Sequence, residues 1–239
     1  MYNIMTIGKR NINWLPDHIL KDRIPFVPEI EPTLLTYNEK LWKKIYPYKK
    51  NIKLHDYKLS NIGRYSIIYT NDAIHIAKII RSYIPKKNAT ITDATANMGG
   101  MTMAFSDFFD KVNAVEIVPF HCKILENNIK VYGTQDKVKI LCDDYIDIAD
   151  TIEQDVVFFD PPFGGPDYKN AAIMDLFLDN ISIADIAKYL LDRKLVVAVR
   201  VPFNYDIKHL VKLTEKSDIY VFNKPSGELN YFLIILTQS

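Results

Sequence analysis

The sequence predicts an α/β fold built on a mostly parallel, seven-stranded sheet that ends in an antiparallel hairpin. Short β-branched and aromatic runs alternate with helical patterns between residues 89 and 201, and strands separated by helices pair in parallel. The last two predicted strands are joined by turn-forming residues 223–228 without a helix, so they pair antiparallel. With 239 residues, 48% of them hydrophobic, the chain can bury a sizeable core.

The first 35 residues carry a different signal. They contain four prolines and no sustained periodicity, which predicts an irregular arm that packs on the domain through Trp14, Phe26 and Val27. We therefore expect an N-terminal arm and helix over residues 1–50, followed by the sheet domain over residues 51–239.

A helix is predicted after the arm, and a run of lysines follows it. Residues 36–39 fit a capping box, and the helix should stop before Pro47. The lysines at 43, 44, 49, 50 and 53 are interleaved with Tyr46 and Tyr48. Such a charge run is ordinarily a solvated face, and a small phosphate clamp is the functional alternative.

From residue 65 onward, extended and helical patterns alternate. Residues 65–69 are predicted to be extended, and Thr70 or Asn71 to cap a helix that ends near Pro85. Pro119 and Gly133 mark the start and end of a later helix. The remaining predicted elements are strands 89–93, 112–116, 138–142, 155–160, 194–201, 219–222 and 231–237, and helices 99–109, 119–132, 182–191 and 206–214.

Composition excludes several classes of function. The formal net charge is +1, which argues against a broad basic groove holding many phosphates of a duplex but permits a small nucleic-acid target. Two cysteines are too few for a disulfide scaffold or a four-cysteine zinc site, and the five histidines show no metal-ligand spacing. There is no signal peptide pattern and no bilayer-length apolar stretch. We expect a cytoplasmic or nuclear protein in a reduced setting, not secreted, with no metal and no membrane partner.

The stretch that organises the chain follows the apolar run at residues 156–159. Asp160, Pro161 and Phe163 belong to an acid-Pro-Pro-aromatic tetrad, and its prolines make a stiff turn at the carboxyl end of a strand, where open α/β sheets bind ligands. The acid and the proline carbonyls can accept the N–H groups of an exocyclic amine, while the aromatic ring stacks on the base. This pattern indicates methyl transfer to an amino group. A proline-rich loop with a core phenylalanine is the alternative.

A loop of small residues follows the first core strand. It begins at Asp93 and includes Thr95, Asn97 and Gly99. Small residues allow the backbone to approach a ligand, and the first N–H groups of the next helix face the same crevice. The sequence is not a G-x-G-x-x-G, so the loop is weak evidence when it is taken alone.

Acids also end the next two predicted strands, at Glu116 and at Asp144 with Tyr145 beside it. Asp93 and Glu116 are 116 − 93 = 23 residues apart, close to the spacing at which an acid binds ribose hydroxyls. Asp144 could accept an adenine amino group. A nicotinamide cofactor would suit this crevice, but the proline tetrad has no role in hydride transfer. We therefore predict S-adenosylmethionine.

Three motif blocks resemble the trimethylguanosine synthases, the RNA cap guanine-N2 methyltransferases. The nine residues from Asp160 to Tyr168 look like that family's Pro-Pro-Trp-Gly-Gly-Pro-Asp-Tyr signature. Residues 127–137 resemble its Asn-Asn…Val-Tyr-Gly…Asp-Lys stretch, and residues 142–145 match its Cys-Gly-Asp-Phe. The resemblance extends weakly from about residue 41 to residue 204. It implies a class I (Rossmann-like) methyltransferase fold, acting on a 7-methylguanosine cap or cap nucleotide, as a monomer.

The resemblance also implies roles for individual residues. Asp93 and Glu116 would hold the methionine and ribose parts of the cofactor, and Asp144 the adenine. Phe163 would stack on the 7-methylguanine ring, where most members have Trp. The implied substrate-side residues are Ser66, placed in the extended segment near the base, Tyr168 at the cap phosphates, and Asn204.

Two departures from the family pattern matter. The family's arginine near the fifth strand is replaced by Phe203, so Arg200 is expected to substitute as a phosphate contact. The family's Gly-rich first motif is replaced by residues 96–99. Alternatives to cap methylation are a guanine-N2 or other amino methyltransferase acting on rRNA or tRNA, and a catalytically inactive, methyltransferase-like RNA-binding subunit.

Overall fold

The computed structural model describes residues 12–24, 26 and 30–238. Short 3₁₀ turns at Leu54–Asp56 and Pro166–Asn170 join the regular elements. The helices are α1 (Asp17–Leu20), α2 (Glu39–Ile45), α3 (Gly63–Ser66), α4 (Thr70–Ser82), α5 (Gly100–Phe108), α6 (Pro119–Tyr132), α7 (Tyr145–Ile148), α8 (Ile183–Asp192) and α9 (Lys208–Val211). The strands are β1 (Thr90–Asp93), β2 (Lys111–Val115), β3 (Val138–Leu141), β4 (Val156–Phe159), β5 (Phe177–Leu178), β6 (Ile181–Ser182), β7 (Val196–Pro202), β8 (Lys216–Asn223) and β9 (Leu229–Thr237).

The main sheet confirms the predicted fold class. Its seven strands lie in the order β3-β2-β1-β4-β7-β9-β8. The first five are parallel, and β9 is antiparallel to both β7 and β8. The chain leaves β1 towards β3 on one side and resumes at β4 on the other side. The carboxyl ends of β1 and β4 therefore flank the switch point of strand order, where such sheets bind ligands.

Burial on both faces explains the uninterrupted apolar run of β4. All four of its residues are buried, with Phe158 in the core on one face and Phe159 in the core on the other. Residues of α4, α5 and α6 fill the first core, and residues of α7 and α8 fill the second. A strand covered by helices on both sides carries no polar alternation, as β4 shows.

The described part of the N-terminal arm packs against the second core. Trp14 is buried there, and its indole nitrogen donates to the carbonyl of Ile146 at 2.9 Å. Phe26, also predicted to pack, is 41% exposed, and Val27 lies outside the described residues. Trp42 of α2 belongs to the first core together with residues of the sheet. The division at residue 50 stays a prediction.

Several local predictions were wrong. The extended segment predicted at 65–69 is wrong for its first two residues, which belong to α3 (Gly63–Ser66), whereas Ile67 and Tyr69 have extended backbone. The Ser60 hydroxyl accepts the Gly63 N–H at 3.0 Å and starts this turn. The helix α2 is capped by Asn38, whose side chain accepts the Leu41 N–H, rather than by a residue-36 capping box. The β5–β6 hairpin was not predicted, and α9 is shorter than expected.

Lys49, from the lysine run, lies at the edge of the sheet opposite the strand carboxyl ends. Lys49 Nζ sits 3.4 Å from the ring centroid of Tyr132, the last residue of α6, and 3.5 Å from an oxygen of Asp107 near the end of α5. Both helices begin at the carboxyl edge, so their ends lie far from it. Lys49 therefore belongs to a solvated, locally paired face rather than to a phosphate clamp.

The two cysteines are joined in the structure, although the sequence favoured reduced thiols. Cys122 lies in the first turns of α6 and Cys142 directly follows β3, with a Cα–Cα distance of 5.8 Å. The crossover from β2 through α6 to β3 brings these positions together. The disulfide thus ties α6 to the loop that carries Asp144.

The described residues contain neither a membrane-spanning helix nor a metal-binding cluster. None of the helices in these ranges is long and apolar enough to cross a membrane. Within the same ranges, no group of three or more His, Cys, Asp or Glu side chains is arranged to hold a metal ion.

Candidate active site

Acidic side chains converge at the carboxyl ends of β1, β2 and β4. Asp93, the last residue of β1, is 1% exposed and accepts a hydrogen bond from the Thr102 hydroxyl at 2.6 Å. Burial raises the pKa of Asp93 to about 7, and the negative charges of Asp160 and Glu116 add to the rise. The predicted edge of the sheet therefore carries a cluster of buried acceptor groups.

Asp160, the first residue of the proline corner, is paired with Arg200 from β7. One guanidinium nitrogen, Nη1, donates to both carboxylate oxygens at 2.8 and 3.0 Å. Burial raises the pKa of Asp160, and the Arg200 charge opposes that rise. The Arg200 Nε–H is buried without a hydrogen-bond partner among the described residues. The structure thus gives Arg200 an internal partner that the sequence did not predict, in place of a free position for a phosphate.

Hydrogen bonds connect the loop after β1 to its surroundings. The Thr95 hydroxyl accepts the Asp160 N–H at 2.9 Å and so ties this loop to the proline corner. The Asn97 N–H donates to Glu116 Oε2 at 2.8 Å, and its side-chain amide donates to the Ser66 hydroxyl at 2.6 Å. Gly99, with a φ of 92°, makes the left-handed turn into α5. These hydrogen bonds involve five predicted site residues (Ser66, Thr95, Asn97, Glu116 and Asp160), although Ser66 ends a helix rather than lying in a strand.

Asp144 lies further along the same edge and is held by the arm. Its Oδ1 caps α7 through the Ile146 N–H at 2.8 Å, and its Oδ2 accepts from Nη2 of Arg23. Arg23 also donates to Asp147 at 2.6 Å and to Asp179 at 2.9 Å. Burial raises the pKa of Asp144 to about 7, as does the neighbouring Asp179, while Arg23 opposes the rise.

The Tyr145 side chain points into the protein interior. It is 3% exposed, and its ring packs edge-on against those of Trp14 and Phe159. A contact between Tyr145 and the cofactor would therefore have to come from its backbone.

Phe163 follows the two prolines of the corner, and its partly buried ring packs against the second core. Its centroid is 5.3 Å from that of Tyr168 and 5.2 Å from the Arg200 guanidinium carbon. Pro161 before it is buried. Asn204, which follows β7, donates to the Tyr168 carbonyl at 2.9 Å and to the Ala171 carbonyl at 2.8 Å. Its role in the structure is to hold the loop of Tyr168 in place.

Three residues near the site were not predicted from the sequence: Arg23, Thr102 and His121. His121 is buried between Ser60, 3.1 Å from Nε2, and Glu116, 3.6 Å from Nδ1. Thr102 could have been found, because it lies in the first turn of the helix that follows Asp93. Nothing in the sequence pairs Arg23 with acids more than 120 residues away.

These residues fit S-adenosylmethionine, which carries a sulfonium, an ammonium and several hydroxyl and amino donors. Asp93, Glu116 and Asp144 offer carboxylates along one edge, each partly satisfied by other donors but with acceptor capacity left. Asn97 Oδ1 is a buried acceptor for which the described part of the chain supplies no donor. An acceptor-rich crevice with an unfilled acceptor suits a cationic ligand rich in donors.

Comparison with known proteins also indicates a methyltransferase. Residues 88–225, more than half of the chain, match the model of a family described as RNA cap guanine-N2 methyltransferase. The chain is 34% identical over 143 residues to the uncharacterized protein L320 of Acanthamoeba polyphaga mimivirus, covering 58% of this chain and 54% of that protein. It is 26% identical over 160 residues to trimethylguanosine synthase of Schizosaccharomyces pombe, covering 61% of this chain and 63% of that enzyme.

The chain thus spans between about half and two thirds of the lengths of these curated relatives. Among solved structures, the Thermus thermophilus 16S rRNA N2 G1207 methyltransferase superposes with a TM-score of 0.53 at 13% identity, over 70% of this chain and 43% of that one. An S-adenosylmethionine-dependent O-methyltransferase of Thermotoga maritima gives 0.52 at 17% identity, over 75% of this chain and 69% of that one. These likenesses establish the Rossmann-like methyltransferase fold.

Proposed function

The chain belongs to the RNA cap guanine-N2 methyltransferase family, and from that premise we propose that it methylates the exocyclic N2 of 7-methylguanosine in an RNA cap. S-adenosylmethionine is the cofactor of this fold and family. The observation that carries the proposal is the proline corner itself. Asp160, Pro161 and Phe163 stand at the end of β4, directly beside the acids that end β1 and β2.

Phe163 selects the base in this proposal. A 7-methylguanine ring carries a positive charge, so stacking on an aromatic face gains a cation–π contribution in addition to dispersion. The partly exposed ring of Phe163 is braced by Tyr168 at its edge and by Arg200 at 5.2 Å. Because Asp160 neutralises Arg200, that guanidinium does not repel a cationic base on the other side of the ring.

The proline corner orients the amine. Guanine N2 is a poor nucleophile because its lone pair is delocalised into the ring, so alignment is the main task of the protein. The Pro161 carbonyl and the remaining lone pairs of Asp160 accept the two amine hydrogens and turn the nitrogen lone pair towards the cofactor crevice. Well-aligned reactants of this kind gain about 7–11 kcal/mol over free encounter.

Bound S-adenosylmethionine supplies an activated methyl group on its sulfonium. The chain's own residues hold that group near the corner through Asp93, Glu116 and Asp144. Thr95 contributes indirectly, because its hydroxyl accepts the Asp160 N–H. This hydrogen bond fixes the distance between the loop after β1 and the proline corner after β4. The methylated amine releases its proton to water or to Asp160, so a dedicated general base is optional.

The partner is capped RNA or a cap nucleotide, bound by the protein as a monomer in the cytoplasm or nucleus. The ring of Tyr168 contacts that of Phe163, and its hydroxyl is assigned to the cap phosphates in this proposal. No metal is required by this chemistry, because the sulfonium gives up its methyl group and leaves as a neutral thioether.

The test is methyl transfer from labelled S-adenosylmethionine to 7-methyl-GTP and, separately, to GTP. A cap enzyme should methylate the 7-methyl form with a much higher kcat/KM, since only that ring carries the charge. Equal use of the two nucleotides would favour a guanine in rRNA or tRNA as the substrate. Absence of S-adenosylmethionine binding in calorimetry would favour an inactive, RNA-binding subunit.

A further inference from the structure

A row of three aromatic rings leads outwards from the proposed guanine site. Phe163 contacts Tyr168 with ring centroids 5.3 Å apart, and Tyr168 contacts Phe203 at 6.5 Å. The row ends in solvent, because Phe203 is 36% exposed. The three neighbouring rings together form an aromatic surface that reaches solvent, and a planar base can stack on such a surface.

The two loops that carry this row are tied to each other. Phe203 and Asn204 follow directly on β7, while Tyr168 lies in the 3₁₀ turn after β4. The Asn204 amide donates to carbonyls of Tyr168 and Ala171 at 2.9 and 2.8 Å, which fixes the turn against the end of β7. The outer rings therefore form a preorganised surface, and a planar ligand would bind without first ordering it.

The charges around the row match a single nucleotide. Lys169 Nζ lies 5.7 Å from the Tyr168 centroid on the exposed side of the turn, and Asp167 is exposed on the same turn. One cation balanced by one acid can contact one phosphate but cannot follow a long backbone. Aromatic faces beside a cation are the usual means by which proteins bind unpaired bases.

We propose that Phe203, together with Tyr168, is a stacking subsite for the first unpaired base that follows the methylated guanine in the RNA. This inference rests on the proposed function, because it takes the position of the guanine on Phe163 as given. It makes the preferred substrate an RNA end with at least one nucleobase beyond the cap guanine, rather than the cap mononucleotide. Stacking is tolerant of sequence, so any base should serve.

The experiment compares two acceptors, 7-methyl-GTP and the cap dinucleotide 7-methyl-GpppA, with the wild type, Phe203→Ala and Phe203→Trp. The wild type should bind the dinucleotide at least about fivefold more tightly than the mononucleotide, in KM and in direct titration. Phe203→Ala should lose that preference, and Phe203→Trp should retain or increase it. Phe203 is partly exposed, so both variants are expected to fold. Melting temperatures will show whether each variant is folded.

Tyr48→Ala is the matched control. Tyr48 is 74% exposed and adjoins Lys49 at the opposite edge of the sheet, so its removal should leave the dinucleotide preference intact. A folded Phe203→Ala variant with the wild-type preference would overturn the proposal, as would a wild type that binds both acceptors equally. The direct titration needs no turnover, so it tests the subsite even if neither acceptor is methylated. Absence of methylation of both acceptors would refute the proposed function instead.

Discussion

Arg200 binds Asp160 through one nitrogen that donates to both carboxylate oxygens, at 2.8 and 3.0 Å. The same guanidinium lies 4.2 Å from the ring centroid of Tyr231 and 5.2 Å from that of Phe163. One side chain from β7 therefore fixes both the acid and the ring of the proline corner on β4. The geometry that the proposed reaction needs is thus part of the folded core.

Arg200→Met should destabilise the protein strongly, because it leaves the Asp160 carboxylate buried without its cation. We expect a loss of about 3–5 kcal/mol in the free energy of unfolding, measured by urea denaturation. The double variant Asp160→Asn, Arg200→Met should recover part of that loss, since no charge is then left unpaired. Arg193→Met, on an exposed arginine, is the control and should change stability by less than about 0.5 kcal/mol. A single Arg200→Met variant as stable as this control would contradict the account.

Arg23→Met should weaken cofactor binding as well as stability. Arg23 is the cation shared by Asp144, Asp147 and Asp179, and it keeps Asp144 oriented where the adenine is expected. Calorimetry should show a Kd for S-adenosylmethionine about tenfold higher, corresponding to the loss of one charge-assisted contact. Arg193→Met again provides the control. If Arg23→Met lowers stability but leaves that Kd unchanged, Arg23 only tethers the arm.

Cofactor affinity should rise with pH between about 5 and 8. The pKa of Asp93 in the folded protein is raised to about 7, above that of an unfolded aspartate. Protonated Asp93 therefore stabilises the ligand-free folded protein, and this stabilisation is lost as pH rises through 7. A cationic ligand needs the carboxylate, so its binding below pH 7 must release a proton. Titration calorimetry in buffers of different ionisation enthalpy measures this release. Asp93→Asn should bind more weakly and with a smaller pH slope, part of which remains because the pKa of Asp144 is also raised to about 7.

Reduction of the Cys122–Cys142 disulfide should lower the free energy of unfolding. The bond closes a loop with a sequence separation of 20, which corresponds to about 3 kcal/mol of loop entropy in the unfolded chain. Urea denaturation with and without dithiothreitol measures the difference. The Cys122→Ser, Cys142→Ser variant should match the reduced wild type and be insensitive to reductant. Identical stability of the oxidised and reduced wild type would show that the bond constrains nothing.

Phe163→Ala should raise the KM for 7-methyl-GTP by about fivefold or more, because the base loses its stacking surface. Phe163→Trp should lower that KM, since the cation–π contribution is strongest with Trp. The change should be larger for 7-methyl-GTP than for GTP, and this ratio separates stacking on a charged ring from general packing. Equal rates for the wild type and Phe163→Ala would remove the stacking role.

The elements that the sequence predicted well are those whose signals are local. The helix α6 has the predicted bounds because Pro119 starts it and Gly133, with a φ of 78°, ends it. The buried run of β4 identified its strand in the same way. By contrast, α3 depends on the Ser60 hydroxyl and on a glycine at 63, where a Cβ would meet the Met98 side chain. The residue pattern alone contains neither contact.

In the candidate site too, the residues with local signals were predicted and the tertiary contacts were not. Asp93 and Glu116 were identified because parallel strands bring their carboxyl ends to one edge. Asp160 and Asp144, by contrast, bind arginines from distant segments, Arg200 and Arg23. Pairing across 40 residues or more depends on the tertiary fold. The sequence therefore placed Arg200 near the site but did not predict its ion pair with Asp160.

The most direct test is the position of the new methyl group. The product of 7-methyl-GTP and labelled S-adenosylmethionine would be digested to the nucleoside, and its methyl carbons located by NMR, with product mass counting the methyls added. The account predicts methyl groups on the exocyclic N2 alone. A methyl group on a ring nitrogen, on O6 or on the ribose would contradict it, because the proline corner would then not be holding the amine.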